Sequence, residues 1–499
     1  MALARDWLQS AAKSGRSSDP SSDPLGLDVL SMLLAMLPSR ATIVMRAIHR
    51  ARRSDDLAQR ARLNFSSRDY TSFDAPIPRL RSRAPSIAME CPDPDSDDQF
   101  ELRLFIEEIV CNLCRFMHVA RDRIAPESVR IRQEVEVGPA DAFADIVVDV
   151  PGFTRYIVEV DYGYSVDRIV ESLSRKYSRD LDWFRSVAKL VLVIDRHNHP
   201  DSNALVQRIR RLVPEYWEIE LWEEEHLLGL IRHYFVIEVD SLRSDKLQEV
   251  RNAIDHAKGR YAFGDAYTNS PLDAALLWHF GYWRLRNLFT AAGSAKRDLL
   301  SPGIYRDVAV VFADLSGFSG YVRDTPYDRT IQQCLGFFSS KSRYQIINDG
   351  GMAYQFLGDA VIGFFGLPDH PAAYIDRACE CAKSLLMISE SVSHEWQRRL
   401  DRMQPVHGGH VGIALGDIQL HSLRPFSRTY IGAVGDAINI AARLSAHAQP
   451  GQIVVSNLIH RHLSVAAQNM CHASEPVQAK NVGLIRAWRY GQAGAGRTA

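Results

Sequence analysis

The stretch VAVVFADLSGF, residues 308–318, determines the fold of the C-terminal part of this chain. A short apolar run that ends in Asp314 and a glycine turn predicts a buried strand followed by a helix. Asp314 then lies at the end of that strand. The amides of residues 315–318 are expected to face an anion, because the first amides of a helix have no acceptor within it.

A second stretch, AYQFLGDAVIGFF at 353–365, has apolar segments on both sides of Gly358-Asp359. This pattern predicts a hairpin whose turn places Asp359 at an edge of the sheet. Two aspartates at neighbouring strand ends can hold a pair of divalent cations, since Mg²⁺ prefers oxygen ligands and retains part of its water.

A third stretch, TYIGAVGDAINIAARL at 429–444, predicts a strand, a glycine turn and a helix that Asp436 caps. Asn439 and Arg443 are four residues apart, so both project from one face of that helix. An amide and a guanidinium on one face suit a ribose and a developing phosphate charge.

The order of elements after Asp307 is strand, long helix, hairpin, long helix, two strands, helix and strand. This order predicts an α+β fold with a ferredoxin-like sheet and helices on one face.

The segments ADLSGF, FLGDAVIGFFG and GDAINIAARL together resemble the catalytic domain of class III adenylate and guanylate cyclases, over about residues 305–490. The resemblance implies that Asp314 and Asp359 bind two divalent cations, Mg²⁺ or Mn²⁺, with help from the Leu315 carbonyl. It also implies that Asn439 orients the ribose and that Arg443 stabilises charge at the α-phosphate of a nucleoside triphosphate.

Other positions follow from the same resemblance. The turn residues Ser316, Gly317 and Phe318 are expected to contact the nucleotide, and Lys480 is expected to contact its phosphates. Lys480 is followed by Asn481, where many cyclases have a glycine. Because the family combines the metal aspartates of one subunit with the Asn/Arg helix of the other, the resemblance implies a homodimer with two composite sites.

Two positions that select the purine in this family are here Gln355 and Gly432, with Tyr354 beside the first. Neither the adenine nor the guanine pattern is met. The pyrimidine cyclases of Pycsar antiphage systems are similar in this respect, so UTP and then CTP are the expected substrates. An adenylate cyclase with an atypical base pocket and a catalytically inactive nucleotide-binding or dimerisation module remain alternatives.

The rest of the chain divides by composition into four further parts. These are a partly flexible N-terminal region with short helices, a mixed α/β regulatory domain, a helical linker and a flexible tail, at 1–95, 96–260, 261–304 and 491–499. In the regulatory domain, strands are predicted at 129–137, 144–150, 155–160 and 189–194, with a helix at 166–187.

Asp145 on the second of these strands, followed by Glu159-Val160-Asp161 on the third, resembles the metal site of restriction-nuclease-like folds. Those folds have a lysine at the place of Asp161. This substitution favours a sensory or structural domain over an active nuclease, which stays an alternative.

Composition narrows the classes of function. A net charge of −1 provides no basic field for nucleic acid or membrane, and no apolar run is long enough to span a bilayer. Seven scattered cysteines indicate reduced thiols, and Cys111 and Cys114 are expected to serve packing alone. We expect a cytoplasmic protein whose cyclic product is bound by a separate effector protein.

Overall fold

The structure is a computed structural model, and it describes residues 95–138, 142–177, 182–195, 201–242, 247–291, 299–325, 328–400, 403–423, 430–479 and 483–491. The N-terminal region expected at 1–95 and the tail expected at 491–499 therefore lie outside the described residues, apart from Asp95 and Gly491. None of the helices in the described ranges combines the length and the apolarity that crossing a membrane requires.

The upstream module, residues 95–291, is built around one five-stranded sheet. Its strands lie in the order β1-β2-β3-β4-β5, antiparallel from β1 to β3 and parallel from β3 to β5. In chain order its elements are α1 (Asp95–Ala120), β1 (Arg130–Glu136), β2 (Phe143–Asp149), β3 (Arg155–Val160), α2 (Val166–Tyr177), β4 (Val187–Val193), α3 (Ser202–Arg210), β5 (Glu218–Trp222), α4 (Glu224–Phe235), α5 (Leu247–Phe263), α6 (Pro271–His279) and α7 (Tyr282–Arg286).

The four strands expected from the sequence are present in this sheet as β1 to β4. Strand β5 was not expected, although its residues, EIELW, alternate between polar and apolar as in a half-buried strand. Of the helix expected at 166–187, Val166–Tyr177 is α-helical, and Asp182–Ser186 form a 3₁₀-helix before β4. Cys111 and Cys114 are completely buried among apolar side chains of α1, as their packing role requires.

The C-terminal domain has a mixed sheet in the order β12-β15-β11-β9-β6-β8-β7, and β10 pairs with β9. Its elements are β6 (Gly303–Leu315), α8 (Phe318–Asp324), α9 (Asp328–Asn348), β7 (Met352–Leu357), β8 (Ala360–Phe365), α10 (Tyr374–Leu400), β9 (Gly409–Leu423), β10 (Tyr430–Val434), α11 (Asp436–His447), β11 (Ile453–Ser456), α12 (Asn457–His462), α13 (Val465–Gln468), β12 (Cys471–Ala473), β13 (Val477–Ala479), β14 (Gly483–Ile485) and β15 (Ala487–Tyr490).

Both faces of this sheet carry helices, so the expectation that helices lie on one face is wrong. Alternate residues of β6 point to opposite sides, and Val308 and Val310 pack with Ala437, Ala441 and Leu444 of α11. Their neighbours on β6 pack instead with residues of α9 and α10. The order of elements alone does not reveal this arrangement, because a helix can cross to either face after a turn.

Helix α9 of the C-terminal domain is held by the upstream module through polar contacts as well as apolar ones. Lys341 of α9 forms buried ion pairs with Glu107 of α1 and Glu134 of β1. Burial would lower the pKa of Lys341, but the two carboxylates outweigh burial and raise it. One turn further, the Tyr344 hydroxyl donates to Asn112 Oδ1 at 2.9 Å. The two parts of the chain therefore share a specific, ordered interface.

The described parts of the segment expected as a linker, 261–291 and 299–304, contribute to this core. Phe280, Trp283 and Leu285 are buried in an apolar cluster that also contains strand residues of the C-terminal sheet. The Arg284 guanidinium donates to the carbonyls of Gly350 and Leu367. These contacts fix α7 against the two segments that flank the β7–β8 hairpin.

His279, the last residue of α6, links this segment to β7 and gives a pH-dependent contribution to stability. Its Nδ1–H donates to the Ala353 carbonyl at 2.7 Å, and burial lowers the pKa of His279 to about 4. The unfolded chain takes up this proton near pH 6.5, so the folded state loses stability as pH falls from 6.5 to 4, by up to about 3 kcal/mol.

Substitution His279→Gln, which retains a donor, is expected to reduce this loss. Chemical denaturation at pH 7.5 and at pH 5 measures the free energy of unfolding at each pH. Substitution of the exposed His462 by Gln is the control. An equal loss of stability in His279→Gln and in the unaltered protein would contradict the assignment.

Candidate active site

The two aspartates expected to bind metal come together at one end of the C-terminal sheet. Asp314 is the penultimate residue of β6 and pairs with Ala360, the first residue of β8. Asp359 directly precedes Ala360 in the β7–β8 turn. The Leu315 amide donates to the Asp359 carbonyl at 3.3 Å, which fixes the turn against the strand end.

The electrostatics of this pair favour a bound cation. Burial raises the pKa of Asp359 to about 8, with a further contribution from the neighbouring Asp314 carboxylate. Burial likewise raises the pKa of Asp314, although the nearby His410 and a hydrogen bond with the Asp359 side chain oppose this shift. When two partly buried carboxylates are neighbours, a cation between them stabilises both in the ionised form.

The oxygen donors suit Mg²⁺ or Mn²⁺, which bind through one or two carboxylates, water and phosphate oxygens. Within the described ranges, no group of three or more His, Cys, Asp or Glu side chains is placed to hold a metal ion. Cations at Asp314 and Asp359 therefore need further oxygen ligands from a nucleotide and from water.

The turn after Asp314 offers fewer free amides than the sequence predicts. Besides the Leu315 amide, the Ser316 amide is also used, because it donates to the Gly408 carbonyl at 2.9 Å. The expectation that all four amides face an anion is therefore wrong for these two. Gly317 has φ +73°, and a Cβ there would lie 2.4 Å from the Val406 carbonyl oxygen, so only glycine fits. The helix that follows at Phe318, α8, has only seven residues.

His410 is a site residue that sequence reasoning missed. It lies on β9 directly across from Asp314, with Nε2 3.7 Å from Asp314 Oδ2 and Nδ1 2.9 Å from Ser316 Oγ. Burial lowers the pKa of His410 even though the Asp314 charge opposes it. Its place follows from the register of β6 and β9, which the sequence does not specify.

The residues expected near the base are brought together across β7 and β10. Tyr354 is buried and its ring stacks on Phe364 at 4.6 Å, while its hydroxyl accepts from the Ala433 amide at 2.9 Å. Ala433 follows Gly432, so Tyr354 connects the two strands. Gln355 is half-buried and lies at an irregularity in the pairing of β7 with β8.

Asn439 and Arg443 lie on the exposed side of α11, whose opposite side packs on the sheet. Within the described residues, neither side chain contacts Asp314 or Asp359 of the same chain. Lys480, the expected phosphate contact, lies outside the described residues. One protomer therefore displays the metal pair and the Asn/Arg pair as separate groups.

The sequence of this domain decides its identity. Residues 301–488 match the family model described as the adenylate and guanylate cyclase catalytic domain. The C-terminal part of this chain is a class III cyclase catalytic domain. No curated protein matches the chain.

Solved cyclase structures are similar to the cyclase domain at low identity. The guanylyl cyclase Cya2 is 22% identical, covers 39% of this chain and 97% of its own, and has a TM-score of 0.34. The guanylate cyclase domain of RhGC from Catenaria anguillulae, solved with GTP, is 17% identical over 38% of this chain and 97% of its own, with a TM-score of 0.33. The adenylyl cyclase CyaB from P. aeruginosa is 18% identical over 39% and 97%, with a TM-score of 0.35.

A large cleft connects the cyclase domain with the upstream module and opens onto Asp359. Its volume is about 2160 Å³, and its walls include Phe318, Arg343 and Phe356 of the cyclase domain and Trp278 of α6. A cleft of this size exceeds the ~300–1,000 Å³ of ordinary ligand pockets.

Proposed function

We propose that this protein is a nucleotidyl cyclase that converts a nucleoside triphosphate into a 3′,5′-cyclic nucleotide and pyrophosphate. The observation that carries the proposal is the Asp314–Asp359 pair at one strand end of a cyclase domain. Raised pKa values at both carboxylates support it, because they indicate a site that needs a cation in order to be charged.

The reaction balances without a protein nucleophile. The ribose 3′-oxygen forms a new bond to the α-phosphorus, the bond from that phosphorus to the β-phosphate oxygen breaks, and the hydroxyl proton passes to solvent. Two divalent cations, when bound, supply the charge that lowers the pKa of the 3′-hydroxyl and neutralises pyrophosphate. Asp314, Asp359 and the Leu315 carbonyl are the groups that would hold them.

We propose further that the active sites are composite, with Asn439 and Arg443 supplied by a second copy of the chain. Their exposure on α11 supports this arrangement, since both side chains are free to reach another protomer. The cleft beside Asp359 provides the space. In this arrangement the Asn439 amide orients the ribose, and Arg443 and Lys480 stabilise phosphate charge.

For the substrate we propose UTP first and CTP second. Gln355 offers a neutral donor and acceptor and Gly432 has no side chain, so neither of these two positions supplies a charged group that would select a purine edge. Tyr354 sits between these strands and holds them at a fixed separation through its bond to Ala433.

The test is to incubate the purified protein with ATP, GTP, CTP and UTP separately, with Mn²⁺ or Mg²⁺, and to resolve the products by mass. Cyclic UMP as the main product supports the proposal. Cyclic AMP alone would establish an adenylate cyclase with an atypical pocket and contradict the substrate assignment. No product from any triphosphate would favour the inactive-module alternative.

Substitution Gln355→Ala is expected to weaken discrimination among the bases. Loss of one hydrogen bond of about 1.4 kcal/mol lowers the ratio of kcat/KM for UTP over CTP about tenfold. Competition between the two substrates in one reaction measures this ratio directly. Gln207→Ala, at an exposed position on α3, is the matched control. An unchanged ratio would show that Gln355 does not contact the base.

We propose that the cyclic nucleotide is a second messenger in cytoplasmic antiphage defence, bound by a separate effector protein. The upstream module would serve as the regulatory part. The interface between Lys341, Glu107 and Glu134 supports this role, because it joins that module directly to α9 of the cyclase domain.

A further inference from the structure

Two backbone hydrogen bonds fix the orientation of the Leu315 carbonyl. The Ser316 amide, which donates to the Gly408 carbonyl at 2.9 Å, belongs to the same trans peptide group as that carbonyl. The N–H and the C=O of a trans peptide point in opposite directions, so the Leu315 carbonyl points away from Gly408. The Leu315 amide donates to the Asp359 carbonyl at 3.3 Å, which places Asp359 on the side to which the carbonyl points. Gly408 therefore orients the backbone carbonyl that is expected to bind a cation.

Gly408 is held in turn by helix α10. Its amide donates to Oγ of the buried Ser393 at 2.9 Å. Gly408 has φ +78°, and a Cβ at this position would overlap Glu390 Oε2, so the Glu390 carboxylate lies directly against the glycine backbone. Glu390 and Ser393 are three residues apart and project from the same face of α10. Two side chains of one helix face thus determine where the Gly408 carbonyl lies.

The residue before Gly408 is held by the same carboxylate. His407 Nδ1 and His394 Nε2 each lie 3.2 Å from Glu390 Oε1. Burial would raise the pKa of Glu390, but His394 and His407 outweigh burial and lower it. Glu390 is therefore ionised at neutral pH and attracts the imidazole of His407. This contact fixes the chain at 407–408 relative to α10.

We propose that Glu390 and Ser393 are positioning residues of the cyclase site, which orient the Leu315 carbonyl through Gly408. The inference rests on the proposed function, because that function requires the cations. Groups that orient a metal ligand typically change metal affinity by ~10- to 100-fold when they are removed. Since both side chains act on the carbonyl, their loss raises the cation concentration that the enzyme needs and leaves the KM for the nucleotide unchanged.

The test compares full-length Glu390→Ala protein with the unaltered protein at increasing Mn²⁺. The Mn²⁺ concentration for half-maximal cyclic nucleotide formation is expected to increase about tenfold or more, with an unchanged KM for the nucleotide at saturating Mn²⁺. Glu390→Gln keeps an oxygen at the same place and should restore most of the Mn²⁺ response. Glu475→Ala, at an exposed acid of the same domain, is the control and should change neither the Mn²⁺ requirement nor the KM.

A second measurement needs no turnover. Amide hydrogen exchange of the metal-free protein, followed by mass spectrometry on peptides that cover 314–318, reports the hydrogen bond from the Ser316 amide to Gly408. Exchange of this segment is expected to be about tenfold faster in Glu390→Ala than in the unaltered protein. Glu475→Ala should leave it unchanged.

An unchanged Mn²⁺ requirement in Glu390→Ala, or unchanged exchange at 314–318, would overturn the proposal. A loss of rate that saturating Mn²⁺ does not restore in the folded variant would also overturn it, because the defect would then lie outside cation binding. Circular dichroism verifies folding. If Glu390→Ala does not fold, Ser393→Ala serves as the second variant and has to show both changes.

The two measurements separate failure of this inference from failure of the proposed function. If the unaltered protein forms no cyclic nucleotide, the proposed function is contradicted, and the exchange comparison alone decides whether Glu390 positions the Leu315–Ser316 peptide. If the unaltered protein is active and Glu390→Ala behaves identically in both measurements, the positioning role is wrong and the proposed function is unaffected.

Discussion

Substitution Asp359→Asn is expected to reduce cyclic nucleotide formation about a thousandfold, a loss of about 4 kcal/mol in transition-state stabilisation. The amide is the same size as the carboxylate but carries no charge, so cations bind weakly at Asp314 alone. Initial rates at saturating Mn²⁺ and substrate measure the effect.

A measurement of melting temperature distinguishes this loss of activity from unfolding of the variant. Because the pKa of Asp359 is raised to about 8, the folded protein favours the protonated acid at pH 7, which asparagine resembles. The melting temperature of Asp359→Asn should therefore equal or exceed that of the unaltered protein. Glu475→Gln, at an exposed acid of the same domain, is the matched control and should change neither the rate of product formation nor the melting temperature. Undiminished product formation in Asp359→Asn would exclude a metal role for this residue.

Mixing two inactive variants is expected to restore activity. Arg443→Ala loses at least a hundredfold in rate because the developing phosphate charge is no longer stabilised. When Arg443→Ala and Asp359→Asn chains exchange subunits at equal amounts, half of the dimers are mixed, and each mixed dimer has one site with both residues intact. The mixture should reach about a quarter of the unaltered activity.

Each variant alone, at the total concentration of the mixture, is the control for this experiment. Recovery should develop at the rate of subunit exchange and increase with protein concentration. If no activity returned although mixed dimers were demonstrated by mass spectrometry, Asn439 and Arg443 would have to act on the metal pair of their own chain.

Much of the cyclase domain could be predicted from the sequence, because its strands are continuous apolar runs with a charged residue at the end. The short apolar run at 308–313, ended by a carboxylate and a glycine turn, predicts a buried strand, and Asp314 and Asp359 then follow at strand ends. The four-residue spacing of Asn439 and Arg443 likewise places them on one helical face. Their catalytic roles remain predictions.

The features that escaped prediction depend on contacts between distant segments. His410 lies opposite Asp314 because of the pairing register of β6 and β9. Lys176 contacts Asp145 from the helix that follows strand β3. The amides of Leu315 and Ser316 are occupied by carbonyls that come from other turns. No local pattern specifies such pairings, since each is set by how the elements pack.

The upstream module, residues 95–291, is a second case in which the sequence predicts the elements but not their contacts. Its strands β1 to β4 are apolar enough to be recognised, but its interface with α9 involves Glu107, Glu134 and Lys341, which look like surface charges in the sequence. Their burial follows from mutual neutralisation across two parts of the chain. The lysine lies on a helix of the cyclase domain and the two acids lie far upstream in the chain. Nothing in the sequence indicates that they pair until the fold is known.

The most direct test of the central proposal is to quantify the cyclic nucleotide and pyrophosphate in one reaction with UTP and Mn²⁺. The Asp314→Asn protein serves as the blank. Equal amounts of cyclic UMP and pyrophosphate, absent from the blank, are the predicted result. Pyrophosphate with linear UMP, or equal product from the Asp314→Asn protein, would contradict cyclisation at the Asp314–Asp359 site.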